Sequence, residues 1–212
     1  MDERFLRTRM LLGGDAMERL EQAHVCVLGL GGVGSWCAEA LARSGVGELT
    51  LMDQDTVELS NLNRQAQALE TTLGLPKAEA LARRVLAVNP ACRVHPVQGR
   101  YEAGTRETFF AVHYDYIVDA IDLVSCKLDL IETALSRGVP VISALGTGNK
   151  LDPSLLRVSD ISKTEGCPLA RVVRKELRSR GIHHHKVVWS PEMARTPGAA
   201  GEAPPPGRRS IP

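Results

Sequence analysis

Three observations predict an α/β fold built on a doubly wound, mainly parallel sheet. Short apolar runs alternate along the chain with amphipathic segments of helical length, the pattern of successive strand–helix–strand crossovers. Those runs end in glycine or in an acid, at Gly29, Asp53, Asp122 and Gly146, where the loops at the carboxyl edge of such a sheet begin. Gly29, Gly31 and Gly34 have Gly-x-Gly-x-x-Gly spacing between the first apolar run and the first helix. Right-handed crossovers then favour the doubly wound form.

The elements follow in order. Residues 1–20 mix arginines with Leu6, Met10, Leu11 and Leu12 and lead into Gly13-Gly14, which predicts a short helix and turn ahead of the core. His24 to Gly29 is a compact apolar run, read as a buried parallel strand. Gly34 to Ser44 has helical spacing, with Trp36, Ala40 and Leu41 on one side. Glu48 to Asp53 is the second strand. Lys77 to Val88 is an amphipathic helix stopped by Asn89-Pro90. Val94–Val97, Tyr116–Ile121 and Val139–Ala144 are the next strands, with a helix over Lys127–Arg137. Beyond Leu151 the character changes: Pro168–Arg180 is a basic helix and Lys186–Ser190 a short strand. Residues 1–195 are expected to form one domain with an N-terminal helical arm. Residues 196–212, rich in Pro, Gly and Ala, hold too few apolar side chains to order themselves and are expected to be a flexible tail.

Bulk composition narrows the classes. At 212 residues, with 43% hydrophobic and 24% charged, the chain is long enough for a proper core. A net charge of +1 gives no global field for nucleic acid or membrane, so an RNA partner needs a local basic patch. The five cysteines form no Cys-x-x-Cys pair, and the odd count without a signal peptide fits thiols in a reducing cytoplasm. No apolar run reaches the roughly 20 residues of a membrane span.

The residues that carry chemistry cluster after the first two strands. Gly29, Gly31, Gly32 and Gly34 permit a tight turn and close backbone approach, so the following helix N-terminus can receive phosphate. Asp53 stands where an acid binds ribose hydroxyls, with Asp55 two residues on. Then comes Ser60-Asn61-Leu62-Asn63-Arg64-Gln65, whose Asn61, Asn63, Arg64 and Gln65 are polar side chains placed for a nucleotide. Arginine can meet phosphate bidentately, and hydride transfer has no need of it there. Lys77 offers a point charge to the same phosphates, although for a single residue a solvated helix end is the more usual reading. Asp119 and Asp122 end a strand at the same edge. Asp122 is the better placed to hold Mg2+ on a triphosphate, and Asp119 is expected to be more buried.

Taken together and in order, these motifs resemble the ubiquitin-activating-type, ThiF-like adenylating superfamily over roughly residues 4 to 190. The resemblance implies ATP rather than NAD, and attack of a carboxylate on the α-phosphate to give an acyl-adenylate and pyrophosphate. It implies that Asp53 binds ribose, that Asn61, Arg64 and Lys77 bind phosphates, and that Asp122 holds magnesium. Dimers of that superfamily reach an N-terminal arginine into the partner's site. Arg7 resembles it, and a solvated helix charge explains Arg7 equally well. The catalytic set so implied is Arg64, Asp122 and Arg7.

Two absences separate the branches. Members that activate sulfur carriers hold zinc with two Cys-x-x-Cys pairs, which this chain lacks, and present a cysteine in a crossover loop. Cys167 sits near that place, and a plain thiol before a helix is an equal reading. Residues Asp160–Arg180 and the start Arg4–Gly14 are similar to the tRNA threonylcarbamoyladenosine dehydratase branch. That branch activates the threonyl carboxylate of the modified adenosine beside the tRNA anticodon and closes it into a ring. The alternative is an adenylyltransferase acting on the C-terminus of a ubiquitin-like sulfur carrier. Arg171, Arg174, Lys175 and Arg178 on the basic helix form a patch suited to tRNA phosphates, with a solvated charged face as the other reading. A homodimer and a sulfur-transfer partner protein are further expectations of the resemblance. His183-His184-His185 reads as a polar loop. Family members continue with another apolar segment where this chain stops at Pro212, which leaves a native and a truncated end both open.

Overall fold

The structure is a computed structural model and describes residues 3–196. All but the first residue of the expected flexible tail lies outside the described residues. Contacts group the chain into two compact units divided between Val141 and Ile142.

The first unit begins with α1 (Leu6–Leu12) and α2 (Gly14–Gln22), then β1 (His24–Leu28), α3 (Gly34–Ser44), β2 (Glu48–Asp53), α4 (Lys77–Val88) and β3 (Arg93–Gln98). A four-residue α5 (Arg106–Phe109), β4 (Tyr116–Asp119) and α6 (Val124–Ser136) complete it. Its strands lie in the order β3-β2-β1-β4, all parallel, with Val27 opposite Leu51 and Leu28 opposite Asp119.

Every residue of β1 is buried, as a central parallel strand requires, and alternate residues serve opposite faces. Val25 and Val27 join Leu49 and Leu51 beneath Ala38, Ala42, Leu81 and Val85 of α3 and α4. Cys26 and Leu28 face the other way, against Leu130 and Ala134 of α6 and the aromatic group Tyr101, Phe109 and Tyr114. Helices therefore cover both sides of these strands.

The second unit holds β5 (Val141–Ala144), whose first residue belongs to the first unit, then β6 (Arg157–Asp160), α7 (Pro168–Ser179) and β7 (Lys186–Trp189). β5 and β7 are parallel, and β6 pairs antiparallel with β7. α7 buries Ala170, Val173 and Leu177 and leaves Arg171, Lys175 and Arg178 exposed. Of the strands described, β6 alone runs against its neighbour, so the doubly wound, mainly parallel fold expected from the sequence is present.

Several details differ from the sequence expectations, among them α2 and α5, which were not expected, and β5, which starts at Val141 rather than Val139. β6 was not anticipated, because Arg-Val-Ser-Asp is a four-residue strand at the end of the order and only partly buried. Strand β4 stops at Asp119, and α6 starts at Val124, three residues before Lys127. On α3 the side carrying Trp36 and Ala40 faces solvent, while Ser35, Ala38, Glu39 and Ala42 are buried.

Candidate active site

The glycine turn follows β1 directly. Gly29 has φ +83°, and a Cβ there would lie 2.5 Å from the Ala120 carbonyl oxygen. A Cβ at Gly34 would lie 1.9 Å from the Gly29 oxygen, so α3 can approach the strand this closely only without a side chain. Gly31 is different: nothing stands within 4 Å of a Cβ placed there. The fold itself does not require glycine at that position, and the space in front of it is available to a ligand.

Between these glycines the Leu30 peptide is clamped at both ends. Its N–H donates to Asp53 Oδ2 at 2.7 Å, and its carbonyl accepts from Gln67 Nε2 at 2.8 Å. Asp53 Oδ1 accepts from the Asp55 N–H at 2.9 Å. Each oxygen keeps a second lone pair, so the carboxylate still has acceptor capacity for hydroxyl groups.

Residues 57–68 form the next wall. Asn61 is buried and its Oδ1 accepts from the Glu58 N–H at 3.1 Å, which fixes the short turn Leu59–Asn61. The Arg64 guanidinium is anchored by its own turn. Nη1 donates to Ser60 O and to Asn63 Oδ1, each at 2.8 Å. The Arg64 stem lies beside the glycine turn, its Cγ 3.4 Å from a Cβ built at Gly32. The Trp36 indole donates to the Arg64 carbonyl at 2.9 Å, and Ser35 Oγ accepts from the Ala66 N–H at 3.1 Å, tying this wall to α3. Gln65 is buried and accepts from Gln67 at 3.3 Å. Lys77 opens α4 with its side chain 8% exposed and Nζ 3.0 Å from Asp55 Oδ2.

At the end of β4 the two acids part company. Asp119 is fully buried, accepting from Lys127 Nζ at 2.7 Å and from the Ile121 N–H at 3.0 Å. Asp122, three residues on, is exposed.

Residues 5–179 match the model of the ThiF family. The chain belongs to the ThiF family. This ThiF chain is 43% identical over 193 residues to the tRNA threonylcarbamoyladenosine dehydratase of Bacillus subtilis, covering 91% of the chain and 76% of that protein. It is 42% identical over 177 residues to the Escherichia coli protein of the same name, covering 84% of the chain and 66% of that protein. The solved E. coli dehydratase in complex with ATP superposes with a TM-score of 0.88 at 39% identity, over 92% of this chain and 84% of that one. A molybdopterin-synthase adenylyltransferase of Salmonella typhimurium is 37% identical over 142 residues, 66% of the chain and 57% of that protein.

Within the first unit of the ThiF chain, the fold gathers Gly29, Gly31, Gly32, Gly34, Asp53, Asp55, Asn61, Asn63, Arg64, Gln65 and Lys77 into one set of linked loops. Arg7 is exposed on α1, and among the described residues no hydrogen bond or ion pair links it to them. In the second unit, Arg171, Lys175 and Arg178 are exposed on α7. Arg174 instead turns inward, its Nη1 donating to the Thr164 carbonyl at 2.6 Å. Cys167 is buried as the N-cap of α7 and accepts from the Ala170 N–H at 3.4 Å. His183 and His184 are exposed, whereas His185 is buried with Nε2 2.8 Å from Ser143 Oγ.

Three residues of the site escaped the motif reading. Gln67 gave no signal, being one more polar residue after Gln65. Trp36 looked like helix core. Lys127 had a usable signal, a lone cation on the face that also carries Cys126, Leu130, Ile131 and Ala134.

Proposed function

We propose that the chain is an ATP-dependent tRNA threonylcarbamoyladenosine dehydratase, which adenylates the threonyl carboxylate of the modified adenosine beside the anticodon and then cyclises it. The observation that carries this reading is Arg64. Its guanidinium is fixed by two of its own turn's oxygens while its stem lies against a glycine turn with open space at Gly31. An arginine held this way suits developing negative charge on phosphate, because it needs little reorganisation when the reaction occurs. The high identity to named dehydratases supports the substrate.

The donor set fits ATP. The α3 N-terminus and the open face of Gly31 receive phosphate, Asp53 accepts from ribose hydroxyls, and Asn61, Arg64 and Lys77 lie along the phosphates. The substrate carboxylate attacks the α-phosphorus and the bond to the bridging oxygen of pyrophosphate breaks. Arg64 and Lys77 offset the charge gathering on that leaving group. Attack on the activated carbonyl from within the same side chain then closes the ring and expels AMP. Water is removed in the sum of the two steps, and no thiol shuttle is needed.

For Mg2+ the fitting residue is Asp122, since Asp119 is held by Lys127. The ion would supply charge neutralisation on the phosphates. The exposed apolar side chains Leu6, Met10, Leu11 and Leu12 on α1 support a homodimer that carries Arg7 into the partner's site. Arg171, Lys175 and Arg178 are offered to tRNA, with Arg174 bracing the loop behind them. The cytoplasm is the matching compartment for this substrate. Among the described residues no helix is long and apolar enough to cross a membrane.

Mass spectrometry of anticodon-loop nucleosides from cells lacking the protein tests the reading. Loss of the cyclised nucleoside with accumulation of its open form is expected. An unchanged nucleoside profile, together with pyrophosphate exchange stimulated by a carrier protein ending in Gly-Gly, would replace this function with sulfur-carrier activation.

A further inference from the structure

At the amino ends of β1, β2 and β3, opposite the edge where the glycine turn lies, three side chains converge. His24 stands in register with Glu48, and Glu48 with Arg93, while His95 is paired with Thr50. All of them therefore project from the same face of adjacent strands. His95 Nε2 lies 2.8 Å from Glu48 Oε1 and His24 Nδ1 lies 3.7 Å from the same oxygen. The three ligand atoms sit within 4.8 Å of one another.

We propose that His24, Glu48 and His95 form a binding site for one divalent transition-metal ion of the Zn2+ type. Two imidazole nitrogens and a carboxylate oxygen are a donor set for such ions, and four-coordination is completed by water. The surroundings orient the ligands as outer partners of metal sites do. His24 Nε2 is 2.8 Å from Thr50 Oγ1; with Nε2–H donating there, the Nδ1 lone pair is left facing Glu48. At 3.7 Å that nitrogen is too far from Glu48 for a hydrogen bond, which leaves room for a cation between them. Arg93 holds the other carboxylate oxygen, its Nη2 2.5 Å and its Nε 3.2 Å from Glu48 Oε2, and leaves Oε1 turned toward the histidines. The Tyr114 ring packs edge-on against His24 with centroids 4.9 Å apart, and the His24 N–H donates to Asp115 Oδ2 at 2.8 Å, fixing that ligand's backbone and ring. When the ion binds, the His95 Nε2 hydrogen bond to Glu48 gives way to the metal, and the single ring proton sits on Nδ1. The bound ion pins three neighbouring strands at one end.

The test uses the full chain, freed of metal by a chelator and titrated calorimetrically with Zn2+. One equivalent per chain is expected, and saturation at a hundredfold excess over Kd raises Tm by about 5–10 °C. His95→Ala, at a half-exposed position, weakens binding about a hundredfold and leaves ATP binding unchanged. Glu48→Gln weakens it similarly. The His183→Ala/His184→Ala double variant keeps the full equivalent, which separates this cluster from the other histidines. A wild-type chain that takes up no stoichiometric Zn2+, or a His95→Ala variant that binds as tightly as wild type, overturns the proposal and leaves a purely hydrogen-bonded network.

Discussion

The Lys127 ammonium lies 2.7 Å from Asp119 Oδ2 with both side chains wholly buried, and Asp119 stands three residues before Asp122 in the chain. Asp119 also fixes the Ile121 N–H at 3.0 Å, so the pair sets the path of the chain from β4 to Asp122. Lys127→Met leaves a buried carboxylate without its ammonium and is expected to cost about 3–5 kcal/mol in chemical denaturation. Lys127→Arg, which keeps the charge, should cost less. Equal losses for the two variants would mean that shape rather than charge matters here.

Arg64→Ala is expected to lower the rate of ATP–pyrophosphate exchange about 10²–10³-fold with little change in thermal stability, since the guanidinium is partly solvated. Arg64→Lys should not restore the rate. A lysine cannot bond the Ser60 and Asn63 oxygens through one nitrogen while presenting others to phosphate.

Gly31 and Gly34 should separate binding from folding. Gly31→Ala meets no protein atom within 4 Å, so it should fold normally and weaken ATP binding about ten- to a hundredfold by filling the ligand's space. Gly34→Ala places a methyl against the Gly29 carbonyl and should unfold at clearly lower denaturant. Calorimetry with ATP and a urea titration of each variant check the pair.

Glu39 predicts an acid-side dependence. It is buried on α3 and bonded by Arg84 and by Arg43, and the Arg84 hydrogen bond foremost pulls its carboxyl below the ordinary value of 4.5. A carboxyl lowered in the folded state stabilises it above the unfolded value, and that contribution disappears as pH falls through the folded value. Stability should therefore drop below about pH 4.5, and Glu39→Gln should flatten that part of the curve. Tm measured from pH 3 to pH 7 reads the difference.

The exposed cations of α7 are tested together. Replacing Arg171, Lys175 and Arg178 by alanine should raise KM for tRNA, leave ATP binding intact, and reduce the dependence of log K on log salt by about 2 to 3. An unchanged salt slope would remove this helix from the RNA interface.

How far the sequence could be read depended on how local the determinants were. β1, α3, β2 and α4 were legible because apolar runs, a glycine turn and a proline stop act within a few residues. β6 was not, since its identity comes from pairing with β7, some 30 residues on, rather than from its own composition. The residue types of the candidate site, whose roles toward ATP are proposed, were likewise legible in the glycine turn, Asp53, Asn61, Arg64 and Lys77. What holds them was not. Gln67 reaches Leu30 across 37 positions and Trp36 reaches Arg64 across 28, contacts that exist only after folding. Trp36 misled because an aromatic on a helix usually marks core, whereas here it spans from α3 to the arginine turn.

That indole also makes the pocket observable in the spectrofluorimeter. The chain has two tryptophans, of which Trp36 is 53% exposed and Trp189 only 1%. The red-shifted, acrylamide-quenchable part of the emission must then originate beside Arg64. Any nucleotide that moves the arginine turn will change that signal, so occupancy can be followed in unlabelled protein without a coupled assay.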